Sequence, residues 1–244
     1  MKILLLAIFL GAAVQAARPV DGFEGRVFRK GRSTMPYRLF TPAAYDKANK
    51  YPLVIWLHGA GGAGTDNLKQ ISNDNYYGPH LWSSMEIQAK YPSFVLVPQT
   101  TGAWAVGDPK KLSEEETLTL AVIESLEKEF SIDPRRVYLS GQSNGGNGTW
   151  DLLTKRPTVF AAGVPLCGGG NPALAVKIAN VPVWAFHGAK DDVIPVTYSR
   201  NMIRELRRLG GSPKYTEYPD VGHDVWLHAL KEPGLVDWLF SQHR

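Results

Sequence analysis

Apolar runs alternate with amphipathic stretches along most of the chain. Several short runs, such as residues 52–57 and 94–97, are apolar at consecutive positions, which is typical of parallel strands buried on both faces. Between such runs, segments such as 144–155 carry apolar residues at helical spacing. This alternation predicts an α/β fold in which helices cover both faces of a mostly parallel central sheet.

The predicted elements follow one another with short connections. Residues 23–28 and 37–41 are expected to form two edge strands joined by a turn at 30–33. A polar stretch at 67–82 predicts a long loop or short helices. The other predicted strands are 52–57, 94–97, one that starts at Val137, 160–166, 181–186 and 214–218. The predicted helices are 85–90, 113–130 with a capping box at its start, 144–155, 173–179, 197–209 and 234–240.

The N-terminus has the features of an export signal. Lys2 gives a basic start, residues 3–10 form an apolar run too short to span a bilayer, and Val14-Gln15-Ala16 resembles a cleavage site. The sequence therefore predicts a signal peptide over 1–16 and a secreted or periplasmic location without membrane contact after cleavage. An uncleaved membrane anchor is the alternative. At 44% hydrophobic and 20% charged residues in 244, residues 17–244 are expected to form a single catalytic domain.

Charge and cysteine usage narrow the possible partners. The formal net charge is +4, and the four arginines between residues 200 and 208 fall at helical spacing with Glu205 among them. This pattern indicates a solvated helix face, and no nucleic-acid partner is expected. Cys167 is the only cysteine, so no intramolecular disulfide can form and a core position is expected. Without an H-E-x-x-H motif or paired cysteines, neither a metal nor another cofactor is expected. The sequence does not indicate the oligomeric state.

The most informative motif is Gly141-Gln142-Ser143-Asn144-Gly145, which matches G-x-S-x-G between a predicted strand and a predicted helix. A serine at this sharp turn stands exposed at the end of the sheet, and glycines on either side remove side chains that would clash. The following helix directs the positive end of its dipole toward the group that the serine attacks. We therefore expect Ser143 to be a nucleophile.

A serine nucleophile needs a histidine base, and the histidine needs a carboxylate that fixes its tautomer. Asp191 follows the predicted strand 181–186, and His223 follows the strand 214–218. Both should lie with Ser143 at the carboxyl edge of the parallel sheet. Asp192 is the alternative acid, although its side chain should point away from the site. His58 and His187 are interpreted as structural loop residues.

The tetrahedral intermediate of acyl transfer needs two N–H donors for its oxyanion. Asn144 follows the nucleophile and should supply one donor, and Ala60 in the glycine-rich loop 58–64 should supply the other. This loop lacks the Gly-Lys-Ser/Thr ending of a phosphate-binding loop. Trp104 and Trp226 are candidates for substrate contact, with simple packing as the alternative for each.

Four segments carry a family resemblance. Together they resemble α/β-hydrolases of the phospholipase/carboxylesterase and secreted feruloyl/acetyl-xylan-esterase-like group. The resemblance extends from Tyr37 to the C-terminus and implies a Ser143/His223/Asp191 triad, oxyanion donors at Ala60 and Asn144, and ester hydrolysis without a cofactor. The related dienelactone hydrolases use a cysteine nucleophile, so the serine here argues against their activity. The segments are Leu57-His58-Gly59-Ala60-Gly61, Gly141-Gln142-Ser143-Asn144-Gly145-Gly146, His187-Gly188-Ala189-Lys190-Asp191-Asp192-Val193-Ile194-Pro195 and Gly222-His223.

The leading hypothesis is a secreted serine carboxylesterase that hydrolyses short-chain or aromatic acyl esters, on small molecules or on plant polysaccharide. Only residues 168–180 separate the strand after the nucleophile helix from the next one, so no large lid is expected and the site should be open. A prolyl-oligopeptidase-like serine peptidase is the second hypothesis, although the chain has no length for the additional domain of those enzymes. A non-catalytic carbohydrate-binding protein on a hydrolase fold is the third, and the intact triad argues against it.

Overall fold

The computed structural model describes residues 17–105, 108 and 110–244, so the predicted signal peptide at 1–16 lies outside the described residues. Across the described ranges, nine strands form one sheet. Its strands are β1 (Ala17–Val20), β2 (Phe23–Lys30), β3 (Ser33–Phe40), β4 (Tyr51–Leu57), β5 (Phe94–Pro98), β6 (Ile132–Gln142), β7 (Ala162–Leu166), β8 (Trp184–Gly188) and β9 (Lys214–Tyr218).

The helices match most of the predicted ones. None of those in the described part of the chain has the length and apolar character needed to cross a bilayer. Four short 3₁₀ segments cover Ala60–Gly62, Lys69–Ile71, Asn73–Asn75 and Pro172–Ile178. The α-helices are α1 (Tyr77–Trp82), α2 (Met85–Lys90), α3 (Glu114–Glu129), α4 (Asn144–Lys155), α5 (Thr197–Arg208), α6 (Trp226–Ala229) and α7 (Leu235–Phe240).

The sheet is mostly parallel, as predicted. Its order is β1-β2-β3-β5-β4-β6-β7-β8-β9. The strands from β5 to β9 in that order pair in parallel, whereas β1, β2 and β3 pair antiparallel. Every residue of β4 and β5 is buried, which explains why these strands are apolar at consecutive positions. The carboxyl ends of the parallel strands therefore form one edge.

Helices cover both faces of the sheet, because each face is apolar. Residues Leu53, Ile55 and Leu57 of β4 belong to the core under α3, α4 and α5. Val54 and Trp56 of the same strand belong to the core under α1, α2, α6 and α7. Successive side chains of a strand point to opposite faces, so one apolar strand supports both layers.

Apart from shifted strand ends, such as the start of β6 at Ile132 instead of Val137, the sequence-based prediction differs from the structure at three places. The strands β2 and β3 form the expected hairpin, but they are not the edge, since β1 pairs with β2 outside them. The segment 173–179 is part of a 3₁₀ helix rather than an α-helix. The helix α6 was not predicted. The connection between β7 and β8 holds no larger element than this 3₁₀ helix, so no large lid lies between these two strands, as predicted.

The start of α4 presses against the end of β4. A Cβ atom on Gly145 would lie 1.9 Å from the carbonyl oxygen of Leu57 and 2.8 Å from that of His58. Both neighbours are backbone atoms, which cannot rotate away. The close contact fixes the position of the turn that carries Ser143.

Replacement of Gly145 by Ala is therefore expected to destabilise the fold by at least about 2 kcal/mol, because the sheet backbone has to move. Gly102→Ala is the matched control, since a Cβ there meets nothing within 4 Å, and its effect should stay within about 0.5 kcal/mol. Urea unfolding of both variants and the wild type measures the difference. Equal stabilities of the two variants would contradict the interpretation of this contact.

Candidate active site

Ser143 lies in the turn between β6 and α4, where its backbone is strained. Its φ is +55° and its ψ is −119°, a region that non-glycine residues rarely occupy and that costs about 1–3 kcal/mol. The turn is held because the Ser143 N–H donates to the carbonyl of Leu166 at 3.0 Å and the Asn147 N–H donates to the carbonyl of Ser143 at 3.0 Å. The turn places Ser143, which is half-buried, at the carboxyl edge of the sheet.

Asp191 lies beyond the end of β8 with a side chain that is 0% exposed. Its Oδ1 accepts hydrogen bonds from the N–H groups of Val193 at 2.9 Å and Ile194 at 2.8 Å. These backbone donors fix the carboxylate. The neighbouring Asp192 is exposed, so of the two candidate acids it is Asp191 that lies inside the site.

His223 bridges the two other groups. Its Nε2 lies 2.8 Å from the Ser143 Oγ, and its Nδ1 lies 2.8 Å from Oδ2 and 3.0 Å from Oδ1 of Asp191. Because a carboxylate only accepts, Nδ1 carries the proton and Nε2 accepts from the serine hydroxyl. This arrangement can remove a proton from Ser143 and return it to a leaving group.

The loops that carry Asp191 and His223 are tied together. The N–H of Lys190 donates to the carbonyl of Val221 at 3.0 Å. A Cβ on Gly188 would lie 2.2 Å from the carbonyl oxygen of Gly222 and 2.3 Å from that of Val221. A glycine at the end of β8 therefore allows the histidine loop to cross close to the acid.

The predicted oxyanion donors are the backbone N–H groups of Asn144 and Ala60. Asn144 is the first residue of α4, so its N–H has no acceptor within the helix. Ala60 is the first residue of a 3₁₀ segment, and it is exposed. The preceding carbonyls of Leu57 and His58 pack against Gly145, which brings this loop next to the start of α4. Both predicted oxyanion donors thus belong to neighbouring segments.

Sequence analysis missed the side chains that hold the Ala60 loop. The Oδ1 of Asn75 accepts from the N–H of Gly59 at 2.7 Å, and the Gln142 amide donates to the carbonyl of Asp74 at 3.0 Å. Asn75 is only 2% exposed. It lies in a polar stretch without periodicity, so its partner at a distance of 16 residues leaves no local signal.

His58 has a fixed tautomer beneath the same loop. Its Nδ1 lies 2.7 Å from the carbonyl of Gly59, and its Nε2 accepts from the N–H of Thr100 at 3.1 Å. Burial lowers the pKa of His58 to about 4, against an opposing effect of its hydrogen bond to Gly59. The neutral imidazole therefore links two loops, in agreement with its interpretation as structural.

His187 contacts the acid from behind. Its Nε2 lies 2.9 Å from the carbonyl of Ile194 and 3.2 Å from Oδ2 of Asp191, and its Nδ1 lies 2.8 Å from the Ser199 Oγ. Because a carbonyl only accepts, Nε2 carries a proton. Burial lowers the pKa of His187, which favours the neutral ring, against an opposing effect of Asp191. The Ser199 hydroxyl lies between Nδ1 and the carbonyl of Gly168, to which it donates at 3.1 Å. His187 is more than a loop residue, since it orients Asp191.

The two tryptophans do not line an open pocket. Trp104 is 0% exposed, and its Nε1 donates to the carbonyl of His58 at 2.9 Å. The expectation that Trp104 contacts substrate is therefore corrected to a packing role. Trp226 is 8% exposed, and its ring packs edge-on against His223 at 5.7 Å between centroids, so it supports the histidine rather than offering a face for a ligand.

Known proteins share this architecture and part of the sequence. The family model described as the prolyl oligopeptidase family matches residues 119–173. The "Probable feruloyl esterase C" of Aspergillus terreus is 29% identical over 72% of this chain and 62% of that protein. The "Bifunctional acetylxylan esterase/xylanase XynS20E" of Neocallimastix patriciarum is 29% identical over 69% of this chain and 24% of that protein.

A solved structure titled as that of a thermostable esterase is 34% identical, with a TM-score of 0.86 over 92% of this chain and 64% of that one. The chain has the α/β-hydrolase fold. It spans less than two thirds of the length of these esterase relatives. The relatives support a serine hydrolase of the carboxylesterase type.

A cavity of about 550 Å³ begins at Asn147, about one helical turn beyond Ser143 along α4. Its walls come from the outer face of α4, the segment after Asp191, the loop after β7 and α5. Polar walls are formed by Asn147, Asp151 and Asn171, and Tyr198 lies on an apolar wall. The cavity therefore runs along one side of α4, next to the segments that carry Ser143 and Asp191.

Cys167 lies next to Asp191 and His223. Side-chain atoms of Cys167, Asp191 and His223 that could bind a metal lie within 4.8 Å of one another. Among the described residues, these three form the one group of possible metal ligands. Burial raises the pKa of the Cys167 thiol. A metal needs the thiolate, and the two other groups already bond to each other, so the group fits a metal poorly.

His58 makes the stability of the hydrolase sensitive to acid. The pKa of His58 is about 4 in the folded protein and about 6.5 in the unfolded chain. As the pH falls from 6.5 to 4, the unfolded chain therefore binds a proton that the folded protein does not, and the free energy of unfolding decreases. The loss should reach about 3 kcal/mol. Urea unfolding between pH 4 and 8 should show a shallower decline for His58→Gln. His243→Gln replaces an exposed histidine and should follow the wild type. Parallel curves for His58→Gln and wild type would refute this origin.

Proposed function

We propose that the hydrolase is a serine carboxylesterase in which Ser143, His223 and Asp191 form the catalytic triad. The observation that carries the proposal is the unbroken chain of 2.8 Å contacts from the Ser143 Oγ through the His223 ring to Asp191. After removal of residues 1–16 the enzyme would act outside the cytoplasm. No cofactor takes part in this chemistry.

In the first half of the reaction, the Ser143 Oγ attacks the ester carbonyl carbon while its proton passes to Nε2 of His223. The Asp191 carboxylate stabilises the imidazolium that forms. The N–H groups of Asn144 and Ala60 stabilise the negative oxygen of the tetrahedral intermediate. His223 then gives the proton to the alcohol oxygen as the C–O bond breaks, which leaves an acyl-enzyme and a free alcohol.

In the second half, a water molecule replaces the alcohol. His223 accepts a proton from the water as its oxygen attacks the acyl carbon, and the same two N–H groups stabilise the second tetrahedral intermediate. Collapse of this intermediate breaks the bond to Oγ. The proton returns from His223 to Ser143, the carboxylic acid leaves, and the enzyme is restored.

The proposed substrates are esters of short-chain or aromatic acids, on small molecules or on polysaccharide. Support comes from the short connection between β7 and β8, which leaves the serine accessible to a substrate that is itself part of a polymer. The cavity of about 550 Å³ has room for a ring. The names of the relatives, feruloyl and acetylxylan esterases, agree with this class.

A serine peptidase is the second candidate, since the prolyl oligopeptidase family model matches the segment around Ser143. That match covers 119–173, which is the nucleophile region that esterases and peptidases of this fold have in common. Comparison of matched ester and amide substrates decides between the two. Ser143-dependent hydrolysis of a p-nitroanilide would favour the peptidase, because the activated ester is cleaved by both kinds of enzyme.

Ser143→Ala should lower the turnover of p-nitrophenyl esters by at least about 10⁴-fold, because the acyl-enzyme cannot form. The series runs from acetate to long acyl chains, with methyl ferulate beside it. We expect short-chain and aromatic esters to be hydrolysed faster than long-chain esters. Equal rates for wild type and variant, or no hydrolysis by either, would overturn the esterase proposal.

The two adjacent aspartates provide a matched pair. Asp191→Asn should lower kcat by about 10³–10⁴-fold, because an amide facing Nδ1 of His223 favours the wrong tautomer. Asp192→Asn changes the same charge one residue away on an exposed side chain, and its rate should stay within about twofold of wild type. A larger loss of rate in Asp192→Asn than in Asp191→Asn would show that Asp191 is not the catalytic acid.

A further inference from the structure

The cavity follows one face of α4 beyond the serine turn. Asn147 and Asp151 both line it, and they lie four and eight residues after Ser143. At a rise of 1.5 Å per residue, Asp151 lies about 12 Å along the helix axis from the serine. Residues four apart share a face of a helix, and their side chains tilt toward its N-terminus. A substrate bound at Ser143 that extends along this face therefore reaches Asp151.

Asp151 is held in place by a buried ion pair. Its Oδ2 accepts from the Lys155 Nζ at 2.7 Å, and the same Nζ lies 3.1 Å from Oε2 of Glu116. The side chains of Lys155 and Glu116 are 2% and 0% exposed, whereas that of Asp151 is 16% exposed. Within the described ranges, Oδ1 of Asp151 has no hydrogen-bond partner. One carboxylate oxygen is thus anchored, and the other is left to accept from a ligand.

The amide side chains of the cavity have defined orientations. The Asn147 Oδ1 accepts from the N–H of Gly169 at 2.6 Å, and the Asn171 Oδ1 accepts from the N–H of Ala173 at 3.1 Å. Because a backbone N–H only donates, the oxygen of each amide must face it. The NH₂ groups of both residues remain as donors. The polar walls thus offer donors next to one fixed acceptor.

The other walls are apolar. They are formed by Leu174, Val193, Ile194, Pro195 and Tyr198. Tyr198 is 50% exposed and covers Gly169, whose Cβ would lie 3.1 Å from its ring. A cavity with one apolar side and a fixed carboxylate at its far end suits a flat or puckered ring that carries a hydroxyl group. Aliphatic acyl chains would leave the carboxylate without a partner, which costs free energy.

From these observations we propose that the cavity binds a ring of the ester substrate and that Asp151, oriented by Lys155, accepts a hydrogen bond from a hydroxyl group on that ring. The inference rests on the proposed function, and it adds the chemical group that the enzyme selects. The ring could come from a phenolic acid on the acyl side or from a sugar on the alcohol side. Both offer the same hydroxyl chemistry.

The test compares substrates that differ by a single hydroxyl. Methyl 4-hydroxycinnamate and methyl cinnamate place the ring on the acyl side. trans-1,4-Cyclohexanediol monoacetate and cyclohexyl acetate place it on the alcohol side. For wild type, kcat/KM should favour the hydroxylated member of one pair by about 10–100-fold, since a hydrogen bond to a charged acceptor is lost without it. The pair that shows the preference identifies the source of the ring.

Asp151→Asn should reduce this preference to less than about threefold, because a neutral amide oxygen is a weaker acceptor. The ratio is measured within one protein, so partial loss of stability or of active enzyme cancels. Asp237→Asn is the matched control, since it also removes a carboxylate paired with a lysine, Lys90 at 2.7 Å, but on α7 away from the cavity. Its substrate ratio should equal that of wild type.

The outcomes separate this inference from the proposed function. If p-nitrophenyl acetate is hydrolysed and Ser143→Ala abolishes the hydrolysis, the esterase proposal stands. No preference in either pair, or a preference that Asp151→Asn leaves intact, would then overturn the ring-hydroxyl inference alone. If no ester is hydrolysed in a Ser143-dependent way, the proposed function itself fails.

Discussion

The contact between the start of α4 and the ends of two strands is the constraint on which the site depends. Gly145 packs against the carbonyl of Leu57 in β4, and the N–H of Ser143 bonds to the carbonyl of Leu166 in β7. The turn is thereby fixed between two strands, and each strand is buried on both faces. The strained φ of Ser143 persists because this buried framework determines the backbone on either side. The free energy gained by burial of the apolar strands thus offsets the cost of the strained backbone at Ser143.

Hydrogen bonds from buried polar side chains fix the conformation of the loops around the site. His58, Asn75 and His187 are each almost fully buried, and each bonds to a loop that holds a site residue. A buried polar group without a partner costs about 1–3 kcal/mol. Alternative loop conformations would break these bonds and leave such groups unpaired. The loops of the site contain little regular structure. They keep one conformation because any other would leave these buried side chains without hydrogen-bond partners.

The parts of the molecule that local sequence predicts are those set by local physics. The strand β4 is apolar throughout because it is buried on both faces, and α4 begins where a glycine-flanked serine permits the turn. Parallel strands share a carboxyl edge, so the positions of Ser143, Asp191 and His223 just past the ends of predicted strands led to the prediction that they meet. The burial of Trp104 and the role of Asn75 depend on partners 46 and 16 residues away. No periodicity within either segment reports such contacts. The strand β1 escaped prediction for the same reason, since its four residues are defined by pairing with β2.

The two faces of α4 have different tasks, and the rigidity of a helix links them. Gly145 and Gly146 face the sheet, where close packing fixes the helix start. Asn147 and Asp151 face the cavity on the outer side. The separation between the nucleophile and the carboxylate is therefore set by the rise of the helix and not by a flexible loop. The buried Lys155, one further turn along, fixes the last uncertain element, which is the rotamer of Asp151. The same packing that strains Ser143 thus also sets the distance at which a second group on the substrate can be recognised.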